Sequence, residues 1–304
     1  MTCSAETREV QRDAPISTWF GVGGCADALV VAQSDDDLRW AIETGEPVRV
    51  LGEGANLLVA DEGVGGIVVS LASDFYKQVE IDPRTHLVHA GAGVDLRRLI
   101  TLTSNAGLSG LEVLGGIPAS VGGAVRMNAG GAFGQICTSI ARVHAIDKRG
   151  RSRVLEAAEI DFGYRRSGLD EYIITKAEFA LLPDDVRAIR ARFRACMEKK
   201  SVSQPMAASS AGCAFKNPML IDTLEDIAPA GARVSAGLLI DRSGCKGLRC
   251  RGAEVSSVHA NFLVAHPGAR ANDLLVLMLA VEERVFDRFG VRLEREVVVW
   301  SREP

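Results

Sequence analysis

Gly110-Leu-Glu-Val-Leu-Gly-Gly-Ile-Pro-Ala-Ser-Val-Gly-Gly-Ala-Val-Arg-Met-Asn-Ala-Gly-Gly-Ala-Phe-Gly134 carries eight glycines in twenty-five residues. Glycine accepts positive φ and lets main chain come close to a ligand. The paired glycines beside Ser120 and Asn128 therefore point to N–H groups turned toward an anion, with a phosphate-bearing cofactor as the first expectation. The same residues also build runs of tight turns, and glycine content alone leaves both readings open.

Working upstream, Asp95 can cap a helix from Leu96 to about Asn105 that Gly107 stops. Val79–Ile81 and Leu87–His89, joined by Asp82-Pro-Arg-Thr85, read as a hairpin. His86 and His89 are spaced i, i+3 on a strand and so point to opposite faces. With no third ligand nearby, structural histidines are favoured and no metal is expected. Before the hairpin come the loop Ser17–Asp27, a strand Ala28–Ala32, a helix capped by Ser34 and running through Ile42, a strand Val48–Leu51, and Leu58-Val59 followed by Ile67–Leu71. Gly52-Glu-Gly-Ala-Asn-Leu57 lies at a strand end, where α/β folds bind phosphates. It lacks the third glycine of a Rossmann fingerprint and the lysine of a Walker loop, so an ordinary turn remains an equal reading.

Downstream, Arg142–Ile146 and Arg153–Leu155 form a second hairpin, Phe162–Ser167 a loop and Tyr172–Leu181 a strand. Pro183 ends that strand, and Asp184 is placed to cap a long helix with Val186, Ile189, Phe193, Cys196 and Met197 at helical spacing. Its Arg187, Arg190, Arg194, Lys199 and Lys200 read as a solvated face, because the rest of the chain is acidic. Ser209–Pro218 is a further loop of small residues. Val258–Val264 reads as a strand, Asp273–Phe289 as a helix stopped by Gly290, and Val291–Trp300 as a strand with Arg292, Glu294, Glu296, Val298 and Trp300 on one face. Hairpins mixed with helices, without a regular βαβ run, indicate an α+β class.

At 304 residues and 47% hydrophobic content, the chain can build two domains around large cores. A net charge of −4 gives no basic excess for nucleic acid or an anionic membrane. There is no apolar run of the roughly 18 residues a membrane span needs, and the first residues lack signal-peptide order, so a cytoplasmic protein is expected. Seven scattered cysteines suit free thiols in a reducing compartment.

Taken together, the motifs resemble the UDP-N-acetylenolpyruvoylglucosamine reductase family. They are Thr18-Trp-Phe-Gly-Val-Gly-Gly24, Leu51-Gly-Glu-Gly-Ala-Asn-Leu-Leu-Val59, Gly116–Gly130, Tyr164-Arg-Arg-Ser167, Ala211-Gly-Cys-Ala-Phe-Lys-Asn-Pro218, His259–Val264 and Glu294-Arg-Glu-Val297. The resemblance spans nearly the whole chain and looks like the shorter of the family's two types. It implies an α+β fold whose flavin-binding portion is of the vanillyl-alcohol-oxidase-like type, followed by a C-terminal α+β substrate-binding domain. The expected organisation is an N-terminal extension over 1–16, a flavin-binding region over 17–182 in two lobes (about 17–72 and 73–182), and a substrate domain over 183–304. The implied reaction uses NADPH and bound FAD to reduce the enolpyruvyl ether of a UDP-sugar in peptidoglycan precursor synthesis. That pathway links it to cell-wall biogenesis, cell shape, the cell cycle and cell division. The expected partner is this small-molecule substrate alone, with no nucleic acid and no membrane span, and the chain is expected to be a monomer.

The resemblance also assigns residues. Gly52, Glu53, Gly54, Ala55, Asn56 and Leu57, with Ile117, Pro118, Ala119, Ser120, Gly122, Gly123 and Gly130, match flavin-contacting positions. Arg165 matches a catalytic arginine whose guanidinium can hold the substrate carboxylate, and only motif register prefers it to Arg166. Glu296 matches a glutamate that stabilises the enol-like intermediate, with Glu294 the neighbouring alternative. Cys213 stands where serine is commoner. A thiol of ordinary acidity is mostly protonated at neutral pH, so Cys213 is the expected proton donor, with water or another group as the alternative. Lys216 and Asn217 are expected to orient substrate. The chain also departs from the family pattern at Ser17, usually asparagine, and at Ala119 and Arg251, both usually glycine. A binding protein that lost the reduction step and an oxidase with another substrate are the competing readings. Arg165, Glu296 and a plausible donor argue against the first, and the Cys213–Pro218 motif argues against the second.

Overall fold

Alternating apolar side chains define the central sheet. Val88, Ala90, Val143, Ala177 and Phe179 are all buried along one face of five antiparallel strands, ordered Ser152–Glu156, Ile140–Asp147, Tyr172–Ala180, Leu87–Gly91 and Val79–Ile81. Both hairpins form where the turn residues place them. The computed structural model describes residues 8–302 and divides into two units.

The first unit holds residues 8–14, Ala26–Glu53 and Gly65–Glu198. Beside the five-stranded sheet it carries a four-stranded one, ordered Val10–Pro15, Cys25–Val31, Val64–Ser70 and Val48–Leu51, with the last two parallel and the helix Asp35–Glu43 between strands. Helices Leu96–Asn105 and Val121–Arg126 contribute Leu96, Leu99, Ile100, Val121 and Val125 to the same core. Asp95 caps the former as expected, accepting from the Arg98 N–H at 2.8 Å.

The second unit collects Pro15–Cys25, Gly54–Val64 and Lys199 onward. Its core gathers Phe20, Leu58, Phe215, Leu239, Leu274, Leu277, Met278 and Val281 around the helix Ala271–Phe289. That helix ends at Gly290 in the left-handed conformation (φ 68°), and its first amides, Ala271 and Asn272, donate to the Asp61 carboxylate at 3.0 Å each. Leu57–Val59 pairs in parallel with Val298–Trp300.

Several expectations shift. The N-terminal residues are more than an extension, since Val10–Pro15 is an edge strand; the first seven lie outside the described residues. The expected boundary at Pro183 falls inside the first unit: Leu182–Pro183 pairs with Leu108–Ser109, and the helix Val186–Ser203 belongs to that unit through Glu198. Asp185 caps that helix, accepting from the Arg187 and Ala188 amides, because Asp184 is held by the Gly107 carbonyl and by Arg192. The strand expected over Val258–Val264 is confined to Leu263–Ala265, because Phe262 N–H turns back onto His259 O. The last strand shortens to Val298–Trp300.

Of the two histidines singled out, His89 joins His144 around a buried carboxylate, whereas His86 precedes the strand Leu87–Gly91 at a left-handed φ of 58°. Glu178, only 4% exposed, accepts from His144 at 2.6 Å and pairs with Arg142 (3.3 Å) and His89 (3.4 Å). Burial alone would raise the Glu178 carboxyl, but the His144 bond and the charges of Arg142 and His89 outweigh it and hold the group below the usual glutamate range. A carboxyl lowered by folding stabilises fully above its unfolded value and loses that contribution as pH falls through the folded one. Glu178→Gln is therefore expected to lower stability at neutral pH and to flatten its decline below about pH 4.3, the ordinary glutamate value; urea midpoints measured across that range check both.

Candidate active site

In the first unit the two glycine-rich loops meet. A Cβ on Gly52 would stand 2.5 Å from Ser120 Oγ, so only glycine leaves this main-chain surface open. Ser120 caps the helix Val121–Arg126 by accepting from Gly123 N–H at 3.3 Å. The adjoining amides do not face a ligand: Val121 and Gly122 donate to Val94 O and Ala92 O at 2.8 Å each. Gly122 is needed for packing, since a Cβ there would lie 2.9 Å from the Ala92 methyl. Gly52–Leu57 is held in part through its carbonyls. In the second unit Gly54 O accepts from Trp19 N–H (3.1 Å) and Asn56 O from Val298 N–H (3.0 Å). Main-chain amides of such a glycine-bearing loop suit a phosphate, the group a dinucleotide cofactor presents. Ala119, where glycine is usual, has no positive φ, and its carbonyl simply accepts from Leu96 N–H.

Arg165 lies at the tip of a tight turn closed by reciprocal bonds between Gly163 and Arg166, and it takes a left-handed φ of 56°. A branched-free but bulky residue rarely adopts this conformation, which marks a position where the side chain matters more than backbone comfort. Its guanidinium donates to Gly130 O at 2.8 Å and lies 5.4 Å from the Tyr164 ring. Arg166 points elsewhere, to an exposed pair with Asp161 at 2.6 Å. Asn128, 2% exposed and itself at φ 41°, ties the region together. Its amide donates to Gly163 O and Gln135, and its oxygen accepts from Cys137 N–H. Motif reading had left this asparagine out of the site; a polar residue able to take left-handed φ amid glycines was the available signal.

In the second unit Cys213 and Glu296 lie on adjoining segments. Glu296 N–H donates to Ala214 O at 2.8 Å, and Asn56 Nδ2 donates to Glu296 O at 3.0 Å. Both Cys213 and Glu296 are half-buried. Glu294, with a side chain 73% exposed, is paired with Lys216, so the two glutamates differ in environment despite the expected shared face. The cause is that 291–297 is irregular, held by Lys216 N–H to Glu294 O (2.8 Å) and a bridge between Phe215 and Arg295. Asn217 accepts from Ala236 N–H at the start of the helix Ala236–Arg242. A second overlooked asparagine, Asn261, is 2% exposed and clamps Phe215 at both ends, accepting from its N–H at 2.9 Å and donating to its carbonyl at 2.8 Å. His259 supports it through Nδ1, which accepts from Asn261 N–H, and burial pushes this imidazole below its usual range. Arg251, another glycine-like position, takes φ 49°.

Residues 26–156 match the FAD binding domain family, and residues 204–300 match the family described as UDP-N-acetylenolpyruvoylglucosamine reductase, C-terminal domain. The chain is similar to the UDP-N-acetylenolpyruvoylglucosamine reductase of Syntrophobacter fumaroxidans, 39% identical over 295 residues covering 94% of this chain and 81% of that protein. It is also similar to that of Moorella thermoacetica, 38% identical over 300 residues covering 96% and 94%. The crystal structure of UDP-N-acetylenolpyruvylglucosamine reductase from Thermus caldophilus matches with a TM-score of 0.80 at 39% identity, covering 97% of this chain and all of that one.

Asn261→Ala would leave the Phe215 N–H and carbonyl without their partner in a buried setting. At about 1–3 kcal/mol for each of the two unsatisfied groups, a loss of roughly 2–6 kcal/mol is expected. Chemical denaturation measures it, and a loss well under 1 kcal/mol would mean the clamp is dispensable.

Proposed function

Because the chain belongs to the UDP-N-acetylenolpyruvoylglucosamine reductase family, FAD-dependent oxidoreductases of peptidoglycan synthesis, we propose that it reduces the enolpyruvyl ether of UDP-N-acetylglucosamine to UDP-N-acetylmuramate with NADPH as reductant. The observation that carries the reading is the Arg165 turn, which holds a guanidinium at Gly130 in a conformation arginine seldom takes. The same reading makes the protein a participant in cell-wall growth and division. Among the described residues no helix is long and apolar enough to cross a membrane.

Bound FAD would be held by Gly52–Leu57 and by the main chain at Ile117–Ser120, and it supplies the hydride, taken from NADPH, for the distal enolpyruvyl carbon. The protein's own residues do the rest. Arg165 holds the substrate carboxylate through parallel hydrogen bonds as charge builds on it. Glu296 hydrogen-bonds the enol-like form of that carboxyl group. Cys213 then gives its thiol proton to the carbon bearing the ether oxygen, completing the lactyl ether, and the thiolate left behind regains a proton from water. Lys216 pairs with Glu294 in this structure and is available to an anionic group of the substrate once that exposed pair opens.

Purified protein should show flavin absorption and oxidise NADPH only when the enolpyruvyl substrate is present. Flavin-bearing protein with no substrate-dependent oxidation would defeat the reading. Cys213→Ala is expected to lower kcat by about 10²–10⁴-fold, the usual worth of a positioned proton donor, while Cys213→Ser restores most of it and abolishes inactivation by thiol alkylation. Arg165→Gly relieves the left-handed strain, so it should leave stability within about 1 kcal/mol of wild type while turnover collapses. Thermal melts alongside kinetics separate the two effects.

A further inference from the structure

The long helix Val186–Ser203 is basic on its solvated side, and its Arg192 reaches across to a buried carboxylate. Glu112, 2% exposed, begins the short turn that leads into the glycine-rich stretch, and it accepts from Gly110 N–H (2.6 Å), Ser109 Oγ (2.8 Å) and Arg192 Nε (2.8 Å). The second arm of Arg192 reaches Ser109 Oγ at 3.1 Å and Asp184 at 2.6 Å. Burial alone would raise the Glu112 carboxyl, but the Gly110 amide, Arg192 and Ser109 outweigh it and keep the group below its usual range.

From Glu112 the chain has little freedom before the loop. Leu114, Gly115 and Ile117 donate to Leu111, Glu112 and Leu114 carbonyls in successive tight turns. Phe193, next to Arg192, lies directly under Gly115, where a Cβ would come within 2.9 Å of its ring. On the far side the loop is pinned by Leu96 N–H to Ala119 O and Val121 N–H to Val94 O. Glu112 is thereby linked to Ile117 by successive hydrogen-bonded turns, so its placement bears on where Ile117–Ser120 lies.

We propose that Glu112 and Arg192 are positioning residues that set the Ile117–Ser120 main chain for the cofactor, acting through the Glu112–Ile117 turns. The inference rests on the reading of that loop as a flavin contact. The pair touches neither cofactor nor substrate; its contribution is to fix the loop before FAD arrives, so that binding does not have to order it.

The test compares wild type, Arg192→Lys, Glu112→Gln and the exposed control Arg194→Ala, each stripped of flavin and titrated with FAD by flavin fluorescence, with circular dichroism and melting of the apoprotein in parallel. Lysine keeps the charge but cannot bridge Glu112, Ser109 and Asp184 together, and glutamine keeps acceptors but loses the charge. Folded Arg192→Lys or Glu112→Gln should bind FAD about tenfold or more weaker, with KM for the enolpyruvyl substrate unchanged at saturating FAD, and Arg194→Ala should match wild type. Folded variants within about twofold of wild type in FAD affinity overturn the proposal, twofold being well below the tenfold that 1.4 kcal/mol represents. Unfolding of both variants overturns it too, since the pair would then serve stability alone. Wild type that binds no FAD overturns the cofactor reading itself.

Discussion

Close packing at glycines, where even a Cβ would not fit, is the constraint on which both units depend. Gly52 against Ser120 and Gly122 against Ala92 bring glycine-rich segments together in the first unit. In the second, Gly23 lies against Val59, where a Cβ would meet the Val59 Cβ at 2.9 Å. Such contacts leave backbone polar groups to be satisfied without the regular ladder of a sheet, and buried side-chain amides take over that task. Asn128 does so around the Arg165 turn and Asn261 does so along Phe215. Each asparagine offers a donor and an acceptor at fixed spacing, so it can stand in for a missing strand neighbour. The geometry of the Arg165 turn and of the Phe215 segment then follows from these two asparagines.

Elements with strong local signals were legible from residues alone. Asp95 and the Leu96–Asn105 helix, Gly290 and the Ala271–Phe289 helix, and both hairpins carry their own caps and turns, and tertiary contacts did not override them. The α+β class followed from the same signals. The segments misread as strands, 258–262 and 291–297, alternate apolar and polar residues as strands do. They are instead held by single bridges and side-chain clamps, which periodicity cannot register. Unit membership was also hidden, because Pro15–Cys25 and Gly54–Val64 join a core made mostly from residues 199 onward, and no compositional break marks them.

The site was legible to a lesser degree. Glycine content suggested an anion cradle, but Gly122 proves to be a packing residue, so part of that signal came from steric need. Alternation could not separate Glu294 from Glu296, nor motif chemistry Arg165 from Arg166. The structure distinguishes each pair by its partners, Lys216 for Glu294 and Asp161 for Arg166. Asn128 and Asn261 were missed because a buried asparagine announces itself only through the backbone groups it satisfies.

The parallel pairing of Leu57–Val59 with Val298–Trp300 has a consequence for how the chain is made. Asn56 and Glu296, bonded beside that pair, are 240 residues apart in sequence. Closing so long a loop is entropically tolerable, since the cost grows only with the logarithm of length, but the partner strand must first exist. At ribosomal rates of about 5–20 residues per second, the first unit can fold once Glu198 has emerged, while Leu57–Val59 waits for its partner until Val298–Trp300 has followed. A strand edge left open for that interval, and rich in leucine and valine, is the part of the nascent chain most in need of protection.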